Sequence, residues 1–201
     1  MRLIEEVDVN LERMDLEHRQ VLVRPARPEA RLAGIHLSGV LKYVINSSRM
    51  PGWQTYAKEL AAGSLPLIWF LGIAWEEACA SLYPECVWQP GATIWEQVSM
   101  TCDGLSVLPE GLAIEEFKYT SCKRKTGREF EQDWLKMQQG RGYAGGYGAR
   151  LIRWHVLWNN QPWAPSYVRY LFEVSGADVE ATRAMIVNNR DGAIAAGYGE
   201  E

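Results

Sequence analysis

Residues 114–119, IEEFKY, have the composition of a β-strand, and this strand most constrains what the chain can fold into. Successive side chains of a strand point to opposite faces of its sheet. Glu116 and Lys118 therefore share one face, and Glu115, Phe117 and Tyr119 share the other. The sequence thus predicts a carboxylate and an ammonium group side by side on one face of a sheet.

Asp103 precedes Glu116 by thirteen positions and ends a β-like stretch over residues 97–103. Gly104 and the run 109–111, PEG, are turn signals, so we predict a hairpin between the two strands. Closing this hairpin would bring the carboxylates of Asp103 and Glu116 together beside the ammonium of Lys118. Adjacent carboxylates repel each other unless a cation lies between them, and oxygen ligands with an open position suit Mg²⁺ or Mn²⁺.

A divalent ion between such carboxylates can lower the pKa of a bound water molecule and stabilise a phosphate oxygen. The neighbouring lysine can orient the attacking water. Asp103, Glu116 and Lys118 together therefore predict phosphodiester hydrolysis.

Length and composition are those of an ordinary globular protein. The 201 residues suffice for one domain with a good core, and 47% of them are hydrophobic and 23% charged. The best apolar run, residues 65–74, is too short to span a membrane, and the first residues lack the pattern of a secretory signal. The four cysteines lack the spacing of a zinc or iron–sulfur site, which favours reduced thiols. We therefore expect a cytoplasmic protein.

The net charge of −4 does not by itself indicate nucleic-acid binding, because phosphate contacts usually need a basic surface. Basic residues do follow the 114–119 strand closely, and we consider them candidates for DNA binding: Lys123, Arg124, Lys125, Arg128 and, further on, Arg141. The alternative for each of them is a charged side chain on a solvated loop.

Periodicity divides the chain into an extended lead-in over residues 1–33, one domain over residues 34–190 and a flexible tail over residues 191–201. Helical spacing predicts helices at 37–48, 53–62, 66–82, 129–143 and 178–188. Strand-like segments lie at 87–88, 95–103, 112–120, 150–158 and 166–174. This order predicts an α/β fold with a mixed central β-sheet flanked by helices, preceded by N-terminal helices.

Two further patterns accompany the predicted hairpin. Glu76 follows Gly72 by four residues on the helix at 66–82, and Gln139 and Tyr143 lie four residues apart on the helix after the strand. Gln138 lies beside Gln139, so the sequence leaves the register of this pair open.

Taken in order, these residues resemble the motifs of the PD-(D/E)XK nuclease superfamily, and within it the RecB-like and phage lambda-type exonuclease branch. The resemblance covers roughly residues 66–160. It implies a restriction-endonuclease-like core and a deoxyribonuclease that depends on Mg²⁺ or Mn²⁺. By this resemblance Asp103, Glu116 and the backbone carbonyl of Phe117 would bind the metal, Glu76 would hold a metal-bound water or a second metal, and Lys118 would position the water.

The same resemblance implies that Gln139 and Tyr143 orient the active site and contact the DNA backbone. The proteins that the chain resembles are phage-encoded, which implies the cytoplasm of a bacterial host. DNA would be the substrate, a phage recombination or annealing protein a partner, and an oligomer is compatible with this branch.

Two other functions remain open at the level of sequence. A catalytically degenerate nuclease fold could serve as a DNA-binding or protein-interaction module, although Asp103, Glu116, Lys118 and Glu76 are all present. A restriction-type endonuclease would use the same residues with different target recognition. The sequence does not distinguish exonuclease from endonuclease action or DNA from RNA.

Overall fold

The computed structural model of the chain describes residues 1–9, 34–48, 65–160 and 164–198. The helix predicted at residues 53–62 lies outside these ranges. The strands are β1 (Arg2–Val9), β2 (Val87–Trp88), β3 (Thr93–Trp95), β4 (Val98–Met100), β5 (Gly104–Leu108), β6 (Gly111–Thr120), β7 (Leu151–Trp158) and β8 (Ser166–Glu173). The helices are α1 (Leu37–Ser48), α2 (Leu65–Leu82), α3 (Gly127–Glu131), α4 (Trp134–Tyr147) and α5 (Gly176–Ala195).

Six strands form a mixed sheet in the order β1-β8-β7-β6-β5-β2, and β3 and β4 form a separate hairpin. β6 and β7 are parallel, because α3 and α4 carry the chain from the end of one strand back to the start of the other. The other neighbouring strands are antiparallel. The α/β class with a mixed sheet flanked by helices is therefore confirmed.

The sheet packs on both faces. One face meets α1, α4 and α5 in the main hydrophobic core, which includes Leu41, Met137, Ile152 and Ile186. The opposite face meets α2 in a smaller cluster of buried Trp75, Cys79, Phe117 and Tyr167. Because β6 is central, each of its side chains must fit one of these two packed layers. None of the helices in the described ranges is both long and apolar enough to cross a membrane.

The first residues differ from the predicted lead-in. Arg2–Val9 are extended, but they form β1 at the edge of the sheet and pair with β8. Leu3 and Val7 are half-buried, whereas most of the other side chains on β1 are exposed and several are charged. Charged side chains are common on edge strands, where they discourage pairing with other chains. This polarity concealed the strand in the sequence, and residues 10–33 lie outside the described ranges.

The C-terminal residues also differ from the predicted flexible tail. α5 continues to Ala195, and Ala193 is fully buried. The ring of Tyr198 packs edge-on against Tyr43 at 6.1 Å, and its hydroxyl accepts a hydrogen bond from Asn46. The small residues of this segment therefore allow close packing against α1. Residues 199–201 lie outside the described ranges.

The hairpin beside the carboxylates forms between β5 and β6, one strand later along the chain than the sequence predicts. Gly104 is not a turn residue but the first residue of β5, and β5 pairs with β6 around a turn at residues 109–110. A side chain at Gly104 would collide with the Cys86 sulfur atom, so the glycine permits the close approach of β2. The predicted strand at 95–103 is divided between β3 and β4 and ends before Asp103.

The predicted single helix at 129–143 consists of two helices. α3 ends at Glu131, and Asp133 caps α4 by accepting a hydrogen bond from the backbone amide of Lys136. α4 continues through its glycines to Tyr147. The glycines allow close packing, because added Cβ atoms would collide with neighbouring side chains: Gly140 with Ile152, Gly142 with Leu37, Gly145 with Trp95 and Gly146 with Met100.

Candidate active site

Asp103 and Glu116 lie together where β5 begins beside β6. The backbone amide of Asp103 donates a hydrogen bond to Glu116 Oε1 at 3.3 Å, and the backbone amide of Phe117 donates one to Asp103 Oδ2 at 2.8 Å. These reciprocal bonds fix each carboxylate against the strand of the other. The structure therefore brings the two predicted carboxylates together.

Lys118 lies beside both carboxylates. Its Nζ is 2.8 Å from Glu116 Oε2 and 3.5 Å from Asp103 Oδ2. The exposed fraction of the side chain is 0% for Glu116, 17% for Asp103 and 28% for Lys118. Glu116 thus forms the buried floor of the site, while Asp103 and Lys118 reach solvent.

When both carboxylates are ionised, the site carries more negative charge than its one ammonium group balances. Burial raises the pKa of Glu116 to about 8, repulsion from Asp103 adds to the increase, and Lys118 opposes it. Burial alone would lower the pKa of Lys118, but Asp103 and Glu116 outweigh this effect and hold that pKa well above its ordinary value. Lys118 is therefore cationic at neutral pH, and the carboxylate pair would be stabilised by a further cation.

The carboxylate oxygens of the site are chemically suited to a small divalent ion. Glu116 Oε2 is buried and forms an ion pair with Lys118, but it accepts no aligned hydrogen bond from any residue that the structure describes. Carboxylate oxygens of this kind suit Mg²⁺ or Mn²⁺. Within the described ranges no three or more His, Cys, Asp or Glu side chains converge into a metal-binding group. The candidate side-chain ligands are thus the carboxylates of Asp103 and Glu116, and the Phe117 backbone carbonyl is the third ligand that the resemblance implies.

Glu76 lies on α2, within electrostatic range of Cys79. Burial raises the pKa of the Cys79 thiol, and the negative charges of Glu76 and then Asp103 raise it further. Both carboxylates therefore lie close enough to act on the same thiol. Glu76 is half-buried on its helix.

Gln139 and Tyr143 form the wall of the site on α4. Gln139 Nε2 donates a hydrogen bond to the Tyr143 hydroxyl at 2.9 Å, and Tyr143 lies within electrostatic range of Glu116, Lys118 and Asp103. Tyr143 is 3% exposed, and its pKa is held well above the ordinary value by burial and by Glu116. Gln138 instead accepts a hydrogen bond from Thr182 on α5 at 2.8 Å. Gln139 is therefore the glutamine that pairs with Tyr143.

The predicted DNA-binding residues differ in their ion pairing. Arg124 pairs with Asp8 at 2.7 Å and Glu6 at 3.4 Å, and Arg141 pairs with Asp178 at 3.0 Å. The remaining three are Lys123 and Arg128, which are exposed, and Lys125, which pairs with Asp133 at 3.1 Å.

One residue near the site was missed by the sequence prediction. Lys136 lies three residues before Gln139 and seven before Tyr143, so it shares their face of α4. Its Nζ lies 3.1 Å from Asp133 Oδ2, the same oxygen that Lys125 contacts. This helical spacing was the available signal in the sequence.

A second charged network lies behind the site, on the α2 face of the sheet. Glu115 is 1% exposed and binds Arg153 at 2.6 and 2.9 Å and His155 Nε2 at 2.8 Å. His155 Nδ1 contacts the Tyr167 hydroxyl at 2.5 Å, and the Ser106 hydroxyl donates to Glu115. Burial lowers the pKa of His155, whereas His155 and Arg153 outweigh burial to lower that of Glu115. The network therefore contains an ionised Glu115 and anchors β6 to β5 and β7.

Similarity to known proteins adds little to this description of the site. No family model and no curated protein matches the sequence. Among solved structures, one described as the crystal structure of SSO0001 aligns with a TM-score of 0.48 and 13% sequence identity, over 79% of this chain and 74% of that chain. The α/β class accordingly rests on the strands and helices described above.

Proposed function

We propose that the chain is a divalent-metal-dependent deoxyribonuclease that hydrolyses phosphodiester bonds in DNA. The observation that carries the proposal is the convergence of Asp103, Glu116 and Lys118 at one end of the β5–β6 hairpin. The carboxylates of Asp103 and Glu116 would hold Mg²⁺ or Mn²⁺, with the Phe117 carbonyl as a further ligand. When bound, such an ion supplies a Lewis acid for the phosphate and lowers the pKa of coordinated water.

Lys118 has the role of a cation in this proposal. Its raised pKa keeps it protonated at neutral pH, so it cannot remove a proton from water as a general base. An ammonium group instead donates hydrogen bonds, which can orient the attacking water and stabilise the negative charge that develops on phosphate oxygens. The hydrogen bonds between Asp103 and β6 fix the position of this ammonium relative to both carboxylates.

Gln139 and Tyr143 support the site from α4. The hydrogen bond between them fixes the Tyr143 hydroxyl, and Gln139 is half-buried on this helix. We assign these two residues to orienting Lys118 and contacting the DNA backbone. Glu76, on the α2 side, would hold a further water or a second ion.

Substitution of the central residues tests the proposal. Asp103→Asn and Lys118→Ala are expected to reduce metal-dependent DNA cleavage by at least about 100-fold, because each removes a charge that acts on the reacting phosphate. Glu110→Gln is the control, since Glu110 is an exposed carboxylate on the turn of the same hairpin. Circular dichroism would confirm that all three variants fold. Cleavage at the wild-type rate by either folded variant would refute the assignment.

The resemblance to lambda-type exonucleases adds a biological setting to this proposal. It favours a phage-encoded exonuclease of recombination, repair or DNA processing, acting in the host cytoplasm with a recombination or annealing protein. Cutting of closed circles would instead favour a restriction-type endonuclease. DNA binding without cleavage would favour a degenerate binding module.

A further inference from the structure

Two lysines meet at one carboxylate at the start of α4. Lys125 Nζ and Lys136 Nζ each lie 3.1 Å from Asp133 Oδ2. The Asp133 carboxylate also caps α4, because its other oxygen accepts a hydrogen bond from the Lys136 amide at 3.3 Å. This group therefore carries two positive charges and one negative charge, and the capping interaction fixes its position on the helix.

The two ammonium groups are available to a ligand. The side chains of Lys125 and Lys136 are 38% and 27% exposed, whereas Asp133 is 17% exposed beneath them. Each ammonium group has three hydrogen-bond donors, and the contact with Asp133 uses one of them. Asp133 therefore holds the lysines together and leaves donors of both directed toward solvent or an anionic ligand.

The lysine pair lies on the same layer of the molecule as the candidate active site. Lys136 Nζ is 6.0 Å from the ring centre of Phe130, and this ring is 5.7 Å from that of Trp154. Lys118 Nζ in turn lies 5.8 Å from the Trp154 ring. The fully buried rings of Phe130 and Trp154 thus connect Lys136 to Lys118 within this layer.

We propose that Lys125 and Lys136 form a phosphate-binding site for the DNA strand that is cleaved at Asp103, Glu116 and Lys118. This inference rests on the proposed nuclease function and adds Lys136 to it as a binding residue. Asp133 sets the strength of the site, because it neutralises one of the two positive charges while it holds both ammonium groups in place.

Two substitutions that change the charge of this group in opposite directions test the proposal. Lys136→Gln removes a phosphate contact, so the affinity for a short labelled DNA duplex should fall on the order of fivefold, the effect of one hydrogen bond. The slope of log affinity against log salt should decrease by about 1. Asp133→Asn removes the neutralising charge but keeps an N-cap residue, so the affinity should increase.

Binding would be measured by fluorescence anisotropy, with EDTA and with Ca²⁺, across a salt series. Arg183→Gln is the control, because Arg183 is an exposed, ion-paired cation on α5. Opposite changes in affinity for Lys136→Gln and Asp133→Asn, with no change for the control, would support the site. Loss of affinity in both variants, or no change in either, would overturn it, as would failure of the folded wild-type protein to bind the duplex.

The same variants separate this inference from the proposed function. If the wild-type protein binds the duplex and the two affinities change in opposite directions, the phosphate site stands even where no cleavage occurs. If the wild-type protein cleaves DNA but the two affinities do not diverge, the nuclease assignment stands and the phosphate site is refuted.

Discussion

Glu116 occupies an environment that disfavours the negative charge of its carboxylate. It is fully buried beside Asp103, and a single ammonium group stands against the two carboxylates. Burial and the charge of Asp103 both favour a protonated Glu116. Ionisation of Glu116 is therefore disfavoured, and a bound cation would favour it.

The raised pKa of Glu116 predicts how the stability of the protein in EDTA depends on pH. The pKa of Glu116 rises from 4.5 to about 8 on folding, so the folded state retains a proton that the unfolded state has released. The free energy of unfolding should therefore fall as pH rises between about 4.5 and about 8, with a contribution of up to about 1.4 kcal/mol per pH unit. Urea unfolding in EDTA at several pH values measures this slope.

Glu116→Gln is the informative variant for this slope, because its neutral amide has nearly the same shape and cannot titrate. Its stability should lose this component of the pH dependence, whereas Glu110→Gln on the exposed turn should retain it. An identical decline in the wild type and in Glu116→Gln would show that other groups cause it.

At the scale of elements, β6 is held by charged residues on the face opposite the candidate site. Arg153 and Glu115 connect β7 to β6 at 2.6 Å, with exposed fractions of 14% and 1%. Arg2 and Glu173 connect β1 to β8 at the same distance, but Arg2 is 78% exposed. The shortest contacts of the two pairs are equal in length, but Glu115 accepts two hydrogen bonds from Arg153, and the pairs differ in burial.

Their difference in burial predicts different contributions to stability. Arg153→Met should lower the free energy of unfolding by about 3 kcal/mol, because it leaves the buried Glu115 without its guanidinium partner. Arg2→Met should lower it by less than about 1 kcal/mol, because solvent screens an exposed pair. Chemical denaturation of both variants measures the difference, and equal losses would contradict a stabilising role for the buried network.

The elements also show what the sequence could reveal. Side chains alternate along any strand, so the opposite faces of Glu116 and Phe117 followed from residues 114–119 alone. The bounds of α1 and of β6 agree closely with prediction, because their apolar patterns are regular. The proximity of Asp103 to Glu116 was also predictable, although β5, and not the 97–103 stretch, forms the hairpin.

Other features depend on contacts that no local pattern encodes. Gly104 is a residue type typical of turns but lies in β5, because Cys86 packs against it. The glycines of α4 weaken helix propensity, yet neighbouring side chains fill the space above them. Arg153 and His155 lie two residues apart on β7 and therefore share a face, but only the register with β6 shows that both reach Glu115. Tertiary packing decided each of these cases.

At the scale of the whole molecule, the sheet separates two kinds of charged group. The face toward α4 carries the buried Glu116 and the partly exposed Lys118, and the face toward α2 carries the buried network around Glu115. The net charge of −4 is compatible with DNA binding only if cations are concentrated locally. Lys118 and the pair formed by Lys125 and Lys136 are such cations on the α4 layer.

Cleavage of linear and covalently closed circular DNA, with Mg²⁺, with Mn²⁺ and with EDTA, tests the central claim most directly. The proposed function predicts loss of the linear substrate with either metal ion, no loss with EDTA, and no loss with the Glu116→Ala protein. Protection of the closed circle would identify an exonuclease, and its cleavage would identify an endonuclease. Intact DNA of both forms under every condition, with a folded wild-type protein, would contradict the nuclease assignment.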